Sequence, residues 1–150
     1  HTLHEHEKPA VVSYSFNIAD YARRVNNDIF INLNLDRSFS DSKIDTTIRY
    51  APVVNDFQYS EVQITRFMIP EGYDISYLPE NDLIENDIIT ASFRYNREGR
   101  YITLEKKLQY RFLLLQSDRI KLWNQTIDRL NASYRLSVAL HKSDNQTDKK

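Results

Sequence analysis

The sequence has no cysteine, only two glycines and only four prolines among its 150 residues. Without cysteine, the chain cannot hold a disulfide, a thiolate zinc site or a cysteine nucleophile. Two glycines are too few for a P-loop, a dinucleotide-binding fingerprint or a glycine-built oxyanion turn of the usual form. These absences exclude several common enzyme classes before any motif is considered.

Acidic and basic residues are almost balanced, with 21 Asp and Glu against 20 Lys and Arg and a formal net charge of −1. Nucleic-acid-binding domains usually carry a basic excess, so we expect no nucleic-acid partner. The longest apolar run, residues 112–115, is far shorter than the roughly 18 residues that a membrane-spanning helix requires. The sequence therefore predicts no membrane span.

The length of the chain suits one domain. We expect residues 1–9 to be a flexible linker, residues 10–142 to form the domain, and the wholly polar residues 143–150 to be a disordered tail. The first residues lack both an initiating methionine and the apolar run of a signal peptide. We therefore interpret the sequence as a fragment or a processed product, with any targeting signal outside it.

Between these ends, apolar residues alternate with polar ones, most clearly over residues 12–18, 29–35 and 102–114. A period of two is typical of half-buried strands. The third run predicts either one long strand or two strands separated by a bend near Lys106. Weaker strand patterns lie at residues 44–50, 61–69, 73–78 and 88–95.

The two glycines fit this strand pattern as turn residues. Gly72 follows Pro70 and Glu71 between two strand patterns, and Gly99 ends a second connection. Glycine takes the left-handed backbone conformation that such turns require. Both glycines are therefore explained without a phosphate-binding loop.

One segment has a helical period instead. Its apolar residues recur three and four positions apart, which predicts an amphipathic helix of about sixteen residues. Ser117 or Asp118 is the expected N-cap, and residues 136–140 alternate again as a closing strand. The apolar stripe consists of Ile120, Trp123, Ile127, Leu130 and Tyr134.

These patterns together predict the fold class. We expect a mainly β protein, an antiparallel β-sandwich (immunoglobulin-like or related) of about seven to nine strands, with one amphipathic helix near the C-terminus.

The first residues contain a cluster that resembles a metal-binding site. His1, His4 and His6 stand beside Glu5 and Glu7, and imidazole is a good ligand for zinc or copper. However, the cluster precedes every strand pattern, so no fold would fix its geometry. We interpret it as a flexible segment with adventitious metal affinity and assign no metal site.

Two groups of carboxylates are further candidates. The first has the oxygen ligands that calcium prefers, but its spacing fits no calcium-binding loop. The second could contain the paired acids of a glycoside hydrolase, which need a set separation in space. We interpret the first as a solvated loop and the second as a solvated connection between strands. The groups are Asp36, Asp41 and Asp45, and Glu80, Asp82, Glu85 and Asp87.

Nucleophilic catalysis finds little support. A serine triad needs a histidine held inside the fold, and His141 is the one histidine near a strand pattern. Three N-glycosylation sequons, at Asn124, Asn131 and Asn145, matter only in a secreted eukaryotic protein. We assign no catalytic residue and no cofactor.

The chain is rich in aromatic residues, with ten Tyr, seven Phe and one Trp. Aromatic faces can stack on sugars, so a carbohydrate-binding module is an alternative function. Most of these rings fall on predicted core positions, namely Tyr14, Phe16, Tyr110, Phe112 and Trp123. The rings that break the pattern are Tyr59, Tyr73, Tyr77 and Tyr101.

The middle of the chain resembles a known family. The stretch Arg49-Tyr50-Ala51-Pro52 is followed by a strand pattern and then by the segment IPEGYDISYLPE at residues 69–80. An aromatic strand at residues 91–95, a glycine turn, a long strand and a helix follow in the same order. The chain resembles, over residues 11–142, the C-terminal domain of unknown function that follows the transglutaminase-like domain in multidomain proteins of Bacteroides-type bacteria.

The resemblance implies a noncatalytic β-sandwich accessory domain of a larger exported protein in the periplasm or cell envelope. Its expected partner is the neighbouring transglutaminase-like domain of the same polypeptide, or an envelope protein. The function it implies is domain docking or protein interaction. A glycan is the partner under the alternative function, and an enzyme is the weakest hypothesis.

Overall fold

The computed structural model describes residues 11–47 and 51–143. Most of the ordered structure is antiparallel β-sheet, and one helix lies near the C-terminus, so the predicted mainly β fold class is confirmed. The immunoglobulin-like arrangement stays a prediction. Ten strands lie in the described residues, which is more than expected because two of them have only two residues. The strands are β1 (Arg23–Val25), β2 (Asp28–Ile31), β3 (Val53–Val54), β4 (Tyr59–Met68), β5 (Tyr73–Tyr77), β6 (Asp82–Glu85), β7 (Ile89–Glu98), β8 (Tyr101–Tyr110), β9 (Leu114–Leu115) and β10 (Val138–Lys142).

The strands form two four-stranded sheets and one two-stranded sheet, and every pairing is antiparallel. Sheet I has the order β1-β2-β10-β5, sheet II has the order β4-β8-β7-β6, and β3 pairs with β9. A tight connection through Gly99 joins β7 to β8, and Gly99 has a φ of +57°. Gly72, between β4 and β5, has a φ of +78°. Both glycines are turn residues, as predicted.

Strand β8 contains the clearest alternation in the sequence. Ile102, Leu104, Leu108 and Tyr110 are buried in the core, as predicted. Of the two alternatives, one long strand holds at Lys106 and a bend there does not, because β8 is continuous from Tyr101 to Tyr110 and Lys106 is itself buried. Strand β8 ends at Tyr110, and a separate short strand, β9, follows at Leu114–Leu115.

The helix, α1 (Ile120–Tyr134), packs on sheet II against β6 and β7. All five residues of the predicted apolar stripe are buried. The predicted N-cap is wrong, because Ser117 and Asp118 lie in a 3₁₀ turn that leads directly into the helix. The amide of Arg119 donates to the carbonyl of Gln116 (3.0 Å) in that turn, and no side chain caps the helix start.

The largest departure from the predicted strands is the arm, residues 11–18. No strand forms there, and the side chains of Tyr14 and Phe16, predicted to be core, are 80% and 63% exposed. Alternation provides an apolar face, but a strand also needs a neighbour for its main-chain groups. Within the described part of the chain the arm has no such neighbour.

Three smaller predictions also fail. Residues 44–47 are not a strand, and residues 48–50 lie outside the described ranges. The predicted solvated connection around Asp82 is instead strand β6, since its residues pair with β7. Leu35 and Leu114, at the ends of two alternating runs, are exposed rather than buried.

The core is one hydrophobic cluster to which both four-stranded sheets and the helix contribute. Its largest fully buried side chains include Tyr134 from α1, Phe93 from β7 and Leu140 from β10. The closing strand predicted at residues 136–140 is therefore confirmed as β10, which lies in the centre of sheet I. Among the described residues, no helix has the length and apolar character needed to cross a membrane.

Candidate functional site

A long irregular segment, residues 36–45, lies against helix α1 and is called the strap. The indole Nε1–H of Trp123 donates to the carbonyl oxygen of Ser42 at 2.7 Å. The side-chain amide of Asn124 accepts from the amide of Ile44 and donates to its carbonyl, both at 2.8 Å. The helix therefore supplies the partners that a neighbouring strand would otherwise give this backbone.

Two further contacts extend the strap along the helix. The side-chain amide of Asn131 donates to the carbonyl oxygen of Ser40 at 2.9 Å, and the Tyr134 hydroxyl donates to that of Ser38 at 2.9 Å. The sequon residues Asn124 and Asn131 are thus both occupied in holding the strap. The sequence analysis considered these two residues only as sequons and missed this packing.

Beneath the strap, on the inner face of sheet II, lies a group of polar side chains around Lys106. The ammonium of Lys106 donates to the backbone carbonyl of Asp36 at 2.5 Å and lies 5.0 Å from the centre of the Tyr134 ring. The amide of Gln63 donates to the Asp36 carboxylate at 2.9 Å and also to Glu61. Lys106 is only 2% exposed.

Glu61 completes this group from the edge strand β4. Its carboxylate accepts hydrogen bonds from the hydroxyls of Tyr59 at 2.5 Å and Ser38 at 3.0 Å. The hydrogen bond to Glu61, together with burial, raises the pKa of Tyr59 to about 12. Burial lowers the pKa of Lys106, and the nearby carboxylates of Asp36 and Glu61 oppose that change.

These residues are called the Lys106 cluster: Asp36, Tyr59, Glu61, Gln63 and Lys106. A buried lysine with a lowered pKa beside carboxylates is a candidate catalytic group in many proteins. Here its ammonium is directed to the strap backbone and is closed off from solvent. The arrangement can fasten the strap to the sheet, but it offers a substrate no access to the amine.

The three aspartates considered for calcium do not come together. Asp36 belongs to the Lys106 cluster, and Asp41 is exposed near Ser40 (3.3 Å between side-chain oxygens). Asp45 accepts from the hydroxyl and amide of Thr47, and these bonds lower its pKa. Among the described residues, no three His, Asp or Glu side chains form a group that could hold a metal ion.

The second acidic group holds the helix rather than a substrate. Asp82 accepts from the hydroxyl of Ser133 at 2.7 Å and from the guanidinium of Arg129 at 3.2 Å. Asp87 pairs with Arg119 just before the helix. The remaining members of the group, Glu80 and Glu85, are exposed.

His141 does not approach a catalytic arrangement either. Its Nδ1 lies 2.6 Å from a carboxylate oxygen of Asp28, its direct neighbour across β10 and β2 in sheet I. The N-terminal cluster considered for metal binding and the third sequon fall outside the described residues. Those residues are His1, His4, Glu5, His6, Glu7 and Asn145.

The aromatic residues form a cluster under the strap. Phe39 of the strap makes edge-to-face contacts with the rings of Tyr59, Tyr110 and Trp123, with centroids 5.4–5.9 Å apart. Phe39 has a φ of +66°, and nothing in the sequence pattern pointed to it. Such ring pairs contribute about 0.5–1.5 kcal/mol each beyond their buried area.

Of the four tyrosines that broke the alternation, only Tyr77 is exposed, at 50%. Tyr59 stacks on Tyr110 at 5.7 Å, and Tyr73 is half-buried against the core. Tyr101 lies under the guanidinium of Arg66, 3.8 Å from its ring centre. These rings therefore occupy separate places and do not form one sugar-binding platform.

An open groove of about 750 Å³ lies between the base of the arm and strand β4. The hydroxyl of Tyr21 donates to the carbonyl of Asn32 at 2.5 Å on one side of it. Its apolar lining residues are Ile18, Tyr21, Ala22, Ile31, Leu33, Leu35 and Phe67, and its polar ones include Asp20, Arg24, Thr65 and Arg66.

The outer face of sheet II, which points away from α1, is the second open surface. Its side chains alternate with the buried ones, so a row of residues from all four strands is exposed. The apolar members are Val62, Ile64 and Met68 of β4 and Leu83 of β6, each between 56% and 67% exposed.

This architecture defines a mainly β, antiparallel domain in which a strap and a sheet hold a single helix between them. The chain belongs to the DUF3858 family, a domain of unknown function with a solved structure, whose profile matches residues 27–140. The match is narrower than the resemblance over residues 11–142, and the arm precedes it. A comparison with curated proteins gave no match.

A solved structure shares the fold. It is the crystal structure of a "putative protease" from Parabacteroides distasonis, with a TM-score of 0.60 and 10% sequence identity. The similarity covers 82% of this chain and 25% of that chain. This chain therefore spans about a quarter of the length of the protein that it matches.

Proposed function

We propose that the chain is a noncatalytic accessory domain of a larger exported protein of the cell envelope, and that it docks on a neighbouring transglutaminase-like domain. Membership of the DUF3858 family and the similarity to one quarter of a longer chain support a domain that works as part of a multidomain protein.

The outer face of sheet II is the observation that carries this proposal. It exposes Val62 and Leu83 at opposite edges of one row, which runs through Lys107 and Ser92. Exposed aliphatic side chains interspersed with polar ones give this face the mixed composition of a protein contact surface. The docked catalytic domain would cover this row.

The placement of the polar side chains supports a noncatalytic role. Lys106 holds the strap, and Asp82 and Asp87 hold the helix. Each of these candidate catalytic groups is engaged in a contact between elements of the fold. Removing such a group would therefore change stability rather than a reaction step.

The proposal is tested first on the gene. The reading frame that encodes this chain is expected to encode an export signal and a transglutaminase-like segment with its Cys, His and Asp. A reading frame that lacks the transglutaminase-like segment overturns the proposal.

Docking is tested with Leu83→Lys, which places a charge on the outer face of sheet II. The substitution is expected to weaken binding of this chain to the separately produced catalytic domain at least tenfold in a calorimetric titration. Val54→Lys is the control, since Val54 is even more exposed than Leu83 but lies on the two-stranded sheet. Equal affinities for the two variants would show that the outer face is not the docking surface.

A further inference from the structure

We propose that the free edge of β4 accepts the arm of a second copy of this chain as an added strand, so that two copies exchange arms. Strand addition of this kind satisfies the main-chain groups of an edge and uses alternate side chains for specificity. It is separate from the docking described above, because it uses the main-chain edge of sheet II rather than its outward side chains.

The arm has the sequence pattern of a strand but pairs with no neighbouring strand among the described residues. Val12, Tyr14, Phe16 and Ile18 alternate with Ser and Asn, and residues 11–18 contain no glycine, proline or charged residue. The apolar side chains are 47–82% exposed, so the arm is not seated on its own sheet. Tyr14 and Phe16 stack at 5.9 Å, as residues on one side of an extended chain do.

Strand β4 presents the matching edge. Among the described residues, its only strand neighbour is β8. The amide of Ile69 donates toward β8, to the carbonyl of Arg100 at 2.8 Å. Main-chain directions alternate along a strand, so every second residue of β4 points its amide and carbonyl away from β8. These residues are Ser60, Val62, Ile64, Arg66 and Met68.

An open edge ten residues long is a template for pairing with another chain. The groove beside it has an apolar lining that includes Leu33, Leu35 and Phe67. Arg24 and Arg66 also line this groove, and an uncharged arm enters beside them without charge repulsion. The arm is eight residues long and the β4 edge is ten, so the arm can pair along most of it. Its aromatic side chains suit the apolar lining of the groove.

The occupant is a second copy because the base of the arm already lies at this edge. Ile18 and Asp20 line the same groove as Thr65 and Arg66, so two copies that face each other through this edge bring each arm to the other's β4. The exchange is isologous, with the same surfaces on both copies, and it closes as a dimer.

The test uses the 150-residue chain and sedimentation equilibrium between 1 and 100 μM. The full chain is expected to have the mass of two chains, and a chain without residues 1–18 the mass of one. Circular dichroism spectra that match show that the shortened chain is folded. A full chain that stays monomeric at 100 μM, or a dimer that survives the deletion, overturns the proposal.

A second variant keeps the arm and changes the edge. Ile64→Pro removes an outward amide, and proline is tolerated on edge strands when the lost amide faces outward. It is expected to weaken the dimer at least tenfold. Leu83→Pro is the matched control, on the opposite edge strand, β6. The amide of Asn86 points to β7. Because amide directions alternate along a strand, the amide of Leu83, three residues earlier, points outward from the sheet. A dimer weakened equally by both substitutions contradicts an exchange at β4.

Discussion

The ammonium of Lys106 and the backbone carbonyl of Asp36 are joined by a 2.5 Å hydrogen bond across 70 residues of chain. Lys106 lies on β8, one of the two inner strands of sheet II, and Asp36 begins the strap. A buried ammonium requires a partner because its transfer from water is costly. The contact therefore couples the position of the strap to the interior of the sheet.

Lys106→Met tests this coupling. The substitution removes a hydrogen bond from a charged donor, which contributes about 1.5–3 kcal/mol, and it relieves part of the cost of burying the charge. We expect a loss of about 1–3 kcal/mol in the free energy of unfolding, measured by urea denaturation. Lys107→Met, at the exposed neighbouring position, should change it by less than about 0.5 kcal/mol.

Asn124→Ala tests the attachment of the strap to the helix. It removes two hydrogen bonds to Ile44 and leaves that backbone unpaired, so we expect a loss of about 1–3 kcal/mol. Hydrogen exchange should become faster at the amide of Ile44. Gln125→Ala, on the exposed side of the same helix, is the control. Unchanged exchange at Ile44 would contradict the role of Asn124.

Trp123→Ala tests the packing of the helix. The indole is buried between the strap and the core and contacts the rings of Phe39 and Phe112. Truncation of a buried aromatic residue costs about 3–5 kcal/mol. We expect the thermal midpoint to fall by many degrees, and a midpoint equal to that of the unsubstituted chain would show that the helix is not part of the core.

Tyr59→Phe tests the hydrogen bond to Glu61 through its pH dependence. In the folded chain the pKa of Tyr59 is raised to about 12 from its ordinary value of 10. The folded state therefore keeps a proton that the unfolded state releases, and the resulting stability is complete below pH 10 and is lost as the pH rises to about 12. The free energy of unfolding should fall less steeply over this range in Tyr59→Phe than in the unsubstituted chain. Equal slopes for the two proteins would contradict the role of the hydrogen bond between Tyr59 and Glu61.

Periodicity was enough to predict the elements whose apolar face is covered by the core. The alternation in β8 and the helical stripe from Ile120 to Tyr134 each describe a face that the core covers, and both predictions are confirmed. The same alternation in the arm predicted a strand, but a strand also needs a neighbour, and the local pattern contains no information about one.

The candidate site was less accessible to sequence reasoning. Lys106 interrupts an apolar face, and the sequence left one long strand and a bend there as alternatives, because its partner Asp36 lies far away in the chain. Phe39 and Asn131 were missed for the same reason, since each acts in a contact between the strap and the helix. Contacts of this kind depend on tertiary structure and leave no local signal.

The strap also sets a condition on how the chain can fold during synthesis. The backbone carbonyls of Ser42 and Ser38 accept hydrogen bonds from Trp123 and Tyr134, which are synthesised 81 and 96 residues later. At about 5–20 residues per second, a ribosome needs roughly 4–19 s to add that length. A growing chain that ends before the helix therefore carries a strap without its partners, and the native packing of this domain forms only after its last fifth has been made.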